Sequence, residues 1–186
     1  RPFHMDHRRL LVRHLCRPGV PMYDGRLPVS VVQDRIENYW RPYHDLLWET
    51  MEGLHARFGA VYHINCHSMP SFVIGPDRQS PDFVIGDRDG STAERGFTRL
   101  VVETLRSMGY NVRLNDPYKG VELVRRYSNP ARGRHSLQLE IDRRLYMNEE
   151  TLEIHAGFQE LREDLVALTH VLRDYALERT AGLAAE

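Results

Sequence analysis

Cysteine is scarce in this chain, and its scarcity excludes a fold built on disulfide bonds. The two cysteines among the 186 residues, Cys16 and Cys66, form neither a CxxC pair nor a scaffold spacing. A disulfide-built secreted domain would carry more cysteines at regular intervals. The composition therefore favours a reducing compartment, and we expect a cytoplasmic protein.

Long apolar runs and an excess of one charge are also absent. No apolar run approaches the about 20 residues that cross a bilayer, and the first residues do not resemble a signal peptide. The 25 Lys and Arg nearly balance the 26 Asp and Glu. Without a positive surplus, we expect no binding to nucleic acid and no association with a membrane.

What the chain does contain is enough apolar sequence for one folded domain. Hydrophobic residues make up 41% of it and charged residues 27%, which allows a buried core of ordinary size. Residues 28–186 are predicted to form a single α/β hydrolase-type domain. Residues 1–27 contain internal prolines and no regular apolar period, so we predict an irregular N-terminal arm there.

Apolar residues at helical spacing predict three long helices, over residues 30–58, 91–108 and 158–175. The first helix should kink near Trp40 or consist of two abutting helices, because Pro42 removes a backbone hydrogen bond and crowds the preceding turn. Two helix starts have the spacing of a capping box, Ser30 with Gln33 and Ser91 with Glu94.

Four strands are predicted between these helices, over residues 60–66, 81–87, 110–115 and 135–141. Strands separated by helices indicate a three-layer α/β/α fold with a mostly parallel sheet. Ligands bind such sheets beyond the carboxyl ends of the strands. The residues predicted at these ends are His67, Asp87, Asn115 and Glu140.

Two of these residues have both a functional and a structural interpretation. His67 could be a metal ligand, a catalytic base, or a histidine that merely packs at a strand end. Glu140 lies in the apolar run LQLEI, where an unpaired buried carboxylate would cost several kcal/mol. It therefore needs either an open strand end or a salt bridge, for which Arg134 and Arg143 are the nearby candidates. We expect His67 and Glu140 on adjacent or near-adjacent strands, facing one cleft.

Five segments, taken in order, resemble the N-formylglutamate amidohydrolases, and the resemblance covers about residues 23–175. The segments are YWRPYH (39–44), NCHSMPS (65–71), DFVIGDRDGS (82–91), NDPYKG (115–120) and GRHSLQLEIDRRLYMNEE (133–150). The resemblance implies a fold like that of zinc carboxypeptidases and aspartoacylase. It also implies zinc-dependent cleavage of the formyl amide of N-formyl-L-glutamate to glutamate and formate, late in histidine breakdown.

The resemblance also implies roles for particular residues. His67 matches a zinc-ligand histidine of the family, and Glu140 matches the carboxylate that activates water at the zinc. The chemistry suits these residue types, since imidazole binds zinc and a carboxylate can move the proton of an attacking water. Arg134, Tyr118 and Asn115 are the predicted substrate-binding residues, and Arg134 suits a dicarboxylic substrate because it can bind a carboxylate bidentately.

The chain departs from the family pattern at its start. The family's other two zinc ligands come from an upstream Pro-His-Ser-Gly type motif and an acidic residue, and neither appears in residues 1–27. His4, Asp6 and His7 could replace these two ligands, but their loose spacing in an arginine-rich arm is weak evidence for a metal site. We therefore expect the domain to lack part of its N-terminal side and the sheet to show an exposed edge or a gap filled by residues 1–27.

Two alternatives to this function remain open. The chain could be a metal-free, inactive homologue that acts as a binding or regulatory module. It could also be an amidase for another N-acyl amino acid, since small changes in loops alter specificity.

Overall fold

The computed structural model describes residues 15–17, 19–71 and 80–183, of which residues 17 and 181–183 are described by their backbone only. The chain divides into two compact units, residues 1–49 and residues 50–186. The predicted boundary between an arm and a domain at residues 27 and 28 stays a prediction. The alternative ligands His4, Asp6 and His7 lie outside the described residues.

The first unit contains a short hairpin followed by a helix that changes its winding. Strand β1 (Leu15–Arg17) pairs antiparallel with β2 (Val20–Pro21), so part of the segment predicted to be irregular is paired. Helix α1 (Val29–Arg35) continues through a π-helical turn, Ile36–Trp40, into α2 (Arg41–Phe58).

The π-helical turn is the physical form of the predicted kink. The N–H of Arg41 bonds to the carbonyl of Ile36, five residues back. Pro42 follows immediately, and because it has no N–H and needs room for its ring, a regular α-helical turn cannot pass through it without a break. The irregularity predicted near Trp40 is thus confirmed.

Both predicted capping boxes are wrong. Helix α1 has Pro28 as its N-cap, and α3 (Arg95–Ser107) has Glu94, and neither cap residue makes a side-chain hydrogen bond to its helix. The carboxylate of Glu94 accepts hydrogen bonds from the hydroxyls of Tyr62 and Tyr175, both at 2.9 Å. A local spacing rule could not show that more distant groups compete for this carboxylate.

The second unit is built on a four-stranded sheet. Its strands are β3 (Val61–Met69), β4 (Phe83–Gly86), β5 (Val112–Leu114) and β6 (Arg134–Asp142), in the spatial order β3-β6-β4-β5. β3 and β6 are parallel, β4 and β5 are parallel, and β4 runs antiparallel to β6. The fold is therefore mixed α/β with a mostly parallel central sheet, as predicted.

The antiparallel pairing of β4 with β6 corrects one expectation. Asp87 and Asn115 follow β4 and β5, so they lie at the opposite end of the sheet from the carboxyl ends of β3 and β6. Helix α3 provides the crossover that keeps β4 and β5 parallel. No helix was predicted between β3 and β4, so nothing in the sequence pattern fixed the direction of β4 relative to β3.

The two faces of the sheet differ in character. One face, here called the apolar face, packs against α3 and α5 (Gly157–Leu183) and forms the core; its buried members include Phe83, Ile85, Phe97, Val101, Leu105, Leu137, Leu139 and Leu168. The other, here called the polar face, carries the alternate residues of β3 and β6, among them His67 and Glu140. Residues 50–58 of α2, the short helix α4 (Glu122–Arg126) and residues 115–121 lie on the polar side.

Strand β3 forms one edge of the sheet, and in the described part of the chain it pairs with β6 alone. Between β3 and α5 runs a largely apolar groove of about 490 Å³, lined in part by Tyr62, Ile64 and Leu172. Among the described residues β3 is therefore an edge strand, while the predicted choice between an exposed edge and a gap filled by residues 1–27 stays a prediction. None of the described helices combines the length and the apolarity that crossing a membrane requires.

Candidate active site

The polar face presents two matched layers of side chains on the parallel strands β3 and β6. His67 lies opposite Glu140 in the strand register, and Asn65 lies opposite Gln138. Because side chains alternate along a strand, residues two apart point to the same face. Each of the two side chains, His67 and Glu140, therefore has an amide side chain two residues before it on the same face of its strand.

Glu140 is a buried carboxylate, with 8% of its side chain exposed. Its Oε1 accepts a hydrogen bond of 2.7 Å from Nε2 of Gln138. Burial raises the pKa of Glu140 above its ordinary value, while His67, the Gln138 hydrogen bond and Arg143 oppose that rise. The site thus holds a carboxylate whose affinity for a proton is increased by its surroundings.

His67 is the more accessible partner, with 39% of its side chain exposed. Its Nδ1 lies 3.9 Å from Oε1 of Glu140. Its Nε2 lies 2.8 Å from the amide nitrogen of Asn65, within hydrogen-bond distance. The Asn65 amide fixes the plane of the imidazole ring and leaves Nδ1 directed toward Glu140. The expectation that His67 and Glu140 lie on adjacent strands is confirmed, and their side chains approach each other on one face of the sheet; the shared cleft stays a prediction.

The loop of residues 115–121 lies against Gln138, the neighbour of Glu140 on the polar face, and carries Tyr118. Val121 donates its backbone N–H to Oε1 of Gln138 at 2.7 Å, so the same amide that binds Glu140 also anchors the loop. Tyr118 is half-buried, and its pKa is raised by burial first and by the charge of Glu140 second. The phenol of Tyr118 therefore lies within the electrostatic reach of Glu140.

The close approach of this loop depends on Gly86. A Cβ added at Gly86 would lie 2.6 Å from the backbone nitrogen of Gly120 and 2.8 Å from the carbonyl carbon of Lys119. Arg88 holds the loop from the side, with its N–H on the carbonyl of Lys119 and its guanidinium on that of Gly120. The loop rests directly on the sheet because position 86 has no side chain.

The comparisons with known proteins identify the family. The family model described as N-formylglutamate amidohydrolase matches residues 3–147. The chain belongs to the N-formylglutamate amidohydrolase family. All the site residues described above fall inside the matched region, so the polar face of β3 and β6 is part of the family's shared structure.

Individual members of the N-formylglutamate amidohydrolase family agree. An N-formylglutamate deformylase of Pseudomonas putida is 30% identical over 90% of this chain, and one of Pseudomonas aeruginosa is 32% identical over 71% of it. The crystal structure of N-formylglutamate amidohydrolase from Ralstonia eutropha JMP134 is 45% identical and superimposes with a TM-score of 0.83 over 92% of this chain.

The chain is shorter than these amidohydrolases. It spans 62% of the Pseudomonas putida protein, 51% of the Pseudomonas aeruginosa protein and 62% of the Ralstonia chain. The activity and substrate of those whole proteins are therefore only a proposal for this chain.

Arg134, a predicted substrate-binding residue, is not brought to the site. It begins β6, six residues before Glu140, a separation of about 20 Å along a strand. Its Nε and Nη2 donate to the two carboxylate oxygens of Glu52 at 2.6 and 2.7 Å. The structure places Arg134 in a bidentate ion pair between α2 and the sheet, away from Glu140.

Asn115 is also placed away from Glu140. Its side chain donates to Oδ1 of Asp87 at 2.7 Å and accepts from the backbone N–H of Asp87 at 3.0 Å. Asn115 therefore ties the end of β5 to the end of β4, where the loop of residues 115–121 begins. Of the predicted substrate-binding residues, Tyr118 alone is brought near Glu140.

Sequence reasoning missed two polar residues of the site. Gln138 could have been found, because its position two residues before Glu140 places it on the same face of a strand. Arg143 had been considered only as a structural partner for Glu140. It follows β6, and its Nε donates to the hydroxyl of Ser68 at 3.2 Å. Asp142, a residue type that favours turns, caps the 3-10 turn that follows β6, but no sequence signal indicated that Arg143 lies beside β3.

The described residues do not form a complete metal site. His67 and Glu140 are close enough to act together, but no group of three or more His, Cys, Asp or Glu side chains within residues 15–17, 19–71 and 80–183 could hold a metal ion. These residues fit the roles of one ligand and one proton-accepting carboxylate. They do not fit a complete zinc site, which needs at least three protein ligands.

Proposed function

We propose that this chain carries part of the active site of a zinc-dependent amidohydrolase that cleaves N-formyl-L-glutamate into glutamate and formate. The observation that carries the proposal is the pairing of His67 with Glu140 across β3 and β6, with Nδ1 and Oε1 3.9 Å apart. The names of the family and of its similar members supply the substrate. A cytoplasmic location and a role in histidine breakdown stay predictions.

Glu140 is the proton carrier of the proposed reaction. A water molecule adds to the formyl carbon, and Glu140 accepts its proton. When the bond between the formyl carbon and the amide nitrogen breaks, Glu140 returns that proton to the departing amine. The products are formate and glutamate, and Glu140 ends the cycle as it began. A carboxylate with a raised pKa is suited to both transfers, because it holds the proton long enough to deliver it.

His67 is proposed to be one zinc ligand. Zinc, when bound, would make the attacking water more acidic and polarise the formyl oxygen. Asn65 holds the imidazole ring in place, as the outer partners of metal-bound histidines commonly do. The other ligands must come from outside the described residues.

Two substitutions test these roles in the protein at the full length of its family. Glu140→Gln should reduce formate release by at least about a hundredfold while zinc stays bound, because the amide keeps the shape but cannot accept a proton. His67→Ala should lose both zinc and activity. Metal content by elemental analysis and formate release measure both effects.

The matched control is Glu103→Gln, which alters an exposed carboxylate on α3, a helix on the apolar side of the sheet. This variant should keep wild-type zinc content and activity. Full activity of Glu140→Gln would refute the proposed base. A full-length protein that neither binds zinc nor releases formate would instead favour a metal-free binding or regulatory module.

A further inference from the structure

No residue of the polar face has yet been assigned to bind the carboxylates of the substrate, because the predicted residue, Arg134, forms an ion pair with Glu52. Several other arginines of the second unit also form ion pairs. Arg144 binds Asp82 and Asp142, and Arg125 binds Glu122. To bind a substrate with two carboxylates, the site would need an arginine whose guanidinium N–H groups are not all used in other hydrogen bonds.

Arg143 meets this requirement. Its Nε donates to the hydroxyl of Ser68, the residue after His67. Among the residues that the structure describes, no carboxylate forms an ion pair with it. The two terminal nitrogens of its guanidinium, Nη1 and Nη2, can therefore form the fork that binds a carboxylate.

The location of Arg143 is set by both strands of the site. It follows β6 three residues after Glu140, and its contact with Ser68 joins it to the carboxyl end of β3. Its charge acts on both Glu140 and Tyr118, which places it on the same side of the sheet as those two groups. The hydrogen bond to the Ser68 hydroxyl uses Nε alone and limits the rotation of the guanidinium.

We propose that Arg143, braced by Ser68, binds a carboxylate of the N-formyl amino acid and so selects an acidic substrate. The inference rests on the proposed function for the identity of the ligand. The shared chemistry is a carboxylate, and it could be either the α-carboxylate beside the formyl amide or the γ-carboxylate of the glutamate side chain.

Binding measurements on the full-length protein carrying Glu140→Gln separate these choices without turnover. N-formyl-L-glutamate, N-formyl-L-glutamine and the α-amide of N-formyl-L-glutamate serve as probes, and calorimetry gives each Kd. Arg143→Gln should weaken N-formyl-L-glutamate by about 10- to 100-fold, the loss expected for a charged hydrogen-bonded pair. Arg143→Lys should lose less, since it keeps the charge but not the fork.

The loss should vanish for the probe that lacks the bound carboxylate. If Arg143→Gln leaves the Kd of N-formyl-L-glutamine unchanged, Arg143 binds the γ-carboxylate; if it leaves that of the α-amide unchanged, Arg143 binds the α-carboxylate. The matched control is Arg99→Gln, which removes one positive charge from α3 on the apolar side of the sheet and should change no Kd.

Three results would overturn the inference: an unchanged Kd of N-formyl-L-glutamate in Arg143→Gln, an equal loss for all three probes, or no measurable binding when Arg143 is intact. Formate release by the protein with Glu140 intact tests the proposed function separately. Hydrolysis with a Kd insensitive to Arg143 would reject this subsite alone. A charge-dependent Kd without hydrolysis would reject the amidohydrolase function and leave the subsite standing.

Discussion

Glu140 shows how a single residue combines an electrostatic cost with a chemical use. A buried carboxylate is unfavourable unless hydrogen bonds or charges compensate for the lost water. Here Gln138 supplies one hydrogen bond, and His67 and Arg143 supply nearby positive charge or polarity. The compensation is incomplete, since the pKa of Glu140 remains raised. The residual cost is what makes this carboxylate a suitable proton acceptor.

Replacing Glu140 by Gln should therefore stabilise the fold near neutral pH. Because the pKa is raised from its ordinary value of 4.5, the folded chain holds the proton more tightly than the unfolded chain does. Stability contributed by this group then falls as pH rises through the raised pKa. Thermal melts should show the Gln variant to be more stable at neutral pH, with the difference shrinking as pH falls from the raised pKa toward 4.5 and absent below it. A variant less stable than wild type at neutral pH would contradict the assigned cost.

Gln138 is predicted to be a positioning residue that connects Glu140 to the loop of residues 115–121. Gln138→Leu should lower the free energy of unfolding by about 1–3 kcal/mol, because the buried carboxylate of Glu140 loses its donor and the N–H of Val121 loses its acceptor. Hydrogen exchange at Val121 should become faster, and kcat should fall more than KM changes. Gln159→Leu, which removes an exposed amide on α5, is the control and should affect none of these quantities. Unchanged exchange at Val121 would argue against the connection.

At the scale of elements, the loop over the site is fitted to the sheet by the absence of a side chain at Gly86. Gly86→Ala should cost about 1–3 kcal/mol, because the new Cβ would meet backbone atoms that cannot move freely. The loop would have to rise, and Tyr118 would move away from Glu140. Chemical denaturation and formate release should both show the loss.

Gly53→Ala is the matched comparison for that substitution. Gly53 lies within α2, and a Cβ there would meet nothing within 4 Å. Alanine should stabilise the helix by about 0.5–1 kcal/mol. If both variants behaved alike, the close approach at Gly86 would not be the cause.

The ion pair between Arg134 and Glu52 joins α2 to β6. Arg134→Gln should reduce stability by about 1 kcal/mol, since the pair is bidentate and only partly exposed. It should leave the Kd of N-formyl-L-glutamate unchanged. Denaturation and calorimetry on one preparation would check both statements. If the variant bound the substrate more weakly while its stability stayed unchanged, Arg134 would be a substrate-binding residue as the sequence predicted.

Much of the sheet and half of the site could be predicted from the sequence. Alternation in YHINCHSM and HSLQLEID indicated two strands that deliver His67 and Glu140, and this juxtaposition is confirmed. The direction of β4 relative to β3 could not be predicted, because no predicted helix connects the two strands. Asn115 was misplaced with it. The turn after β6 has a local signal, because Asp142 caps it by accepting the backbone N–H of Arg144, but the contact of Arg143 with Ser68 is tertiary and leaves no local pattern.

At the scale of the whole molecule, β3 is an edge strand of the sheet among the described residues, where it pairs with β6 alone. Its polar face carries His67, and its other face borders an apolar groove of about 490 Å³ beside α5. An unpaired edge next to apolar surface favours association with other strands. Family members are longer than this chain, which covers 62% of the Ralstonia structure.

We propose that this chain carries one zinc ligand and the catalytic carboxylate of an amidohydrolase, while the described residues, 15–17, 19–71 and 80–183, do not hold a complete metal site. The most direct test measures zinc content and formate release from N-formyl-L-glutamate on two proteins in parallel, the chain of 186 residues and a version extended to the length of its family. The account predicts weak zinc binding and little or no formate for the shorter protein, and one zinc with rapid formate release for the longer one. Full activity of the 186-residue chain would contradict it.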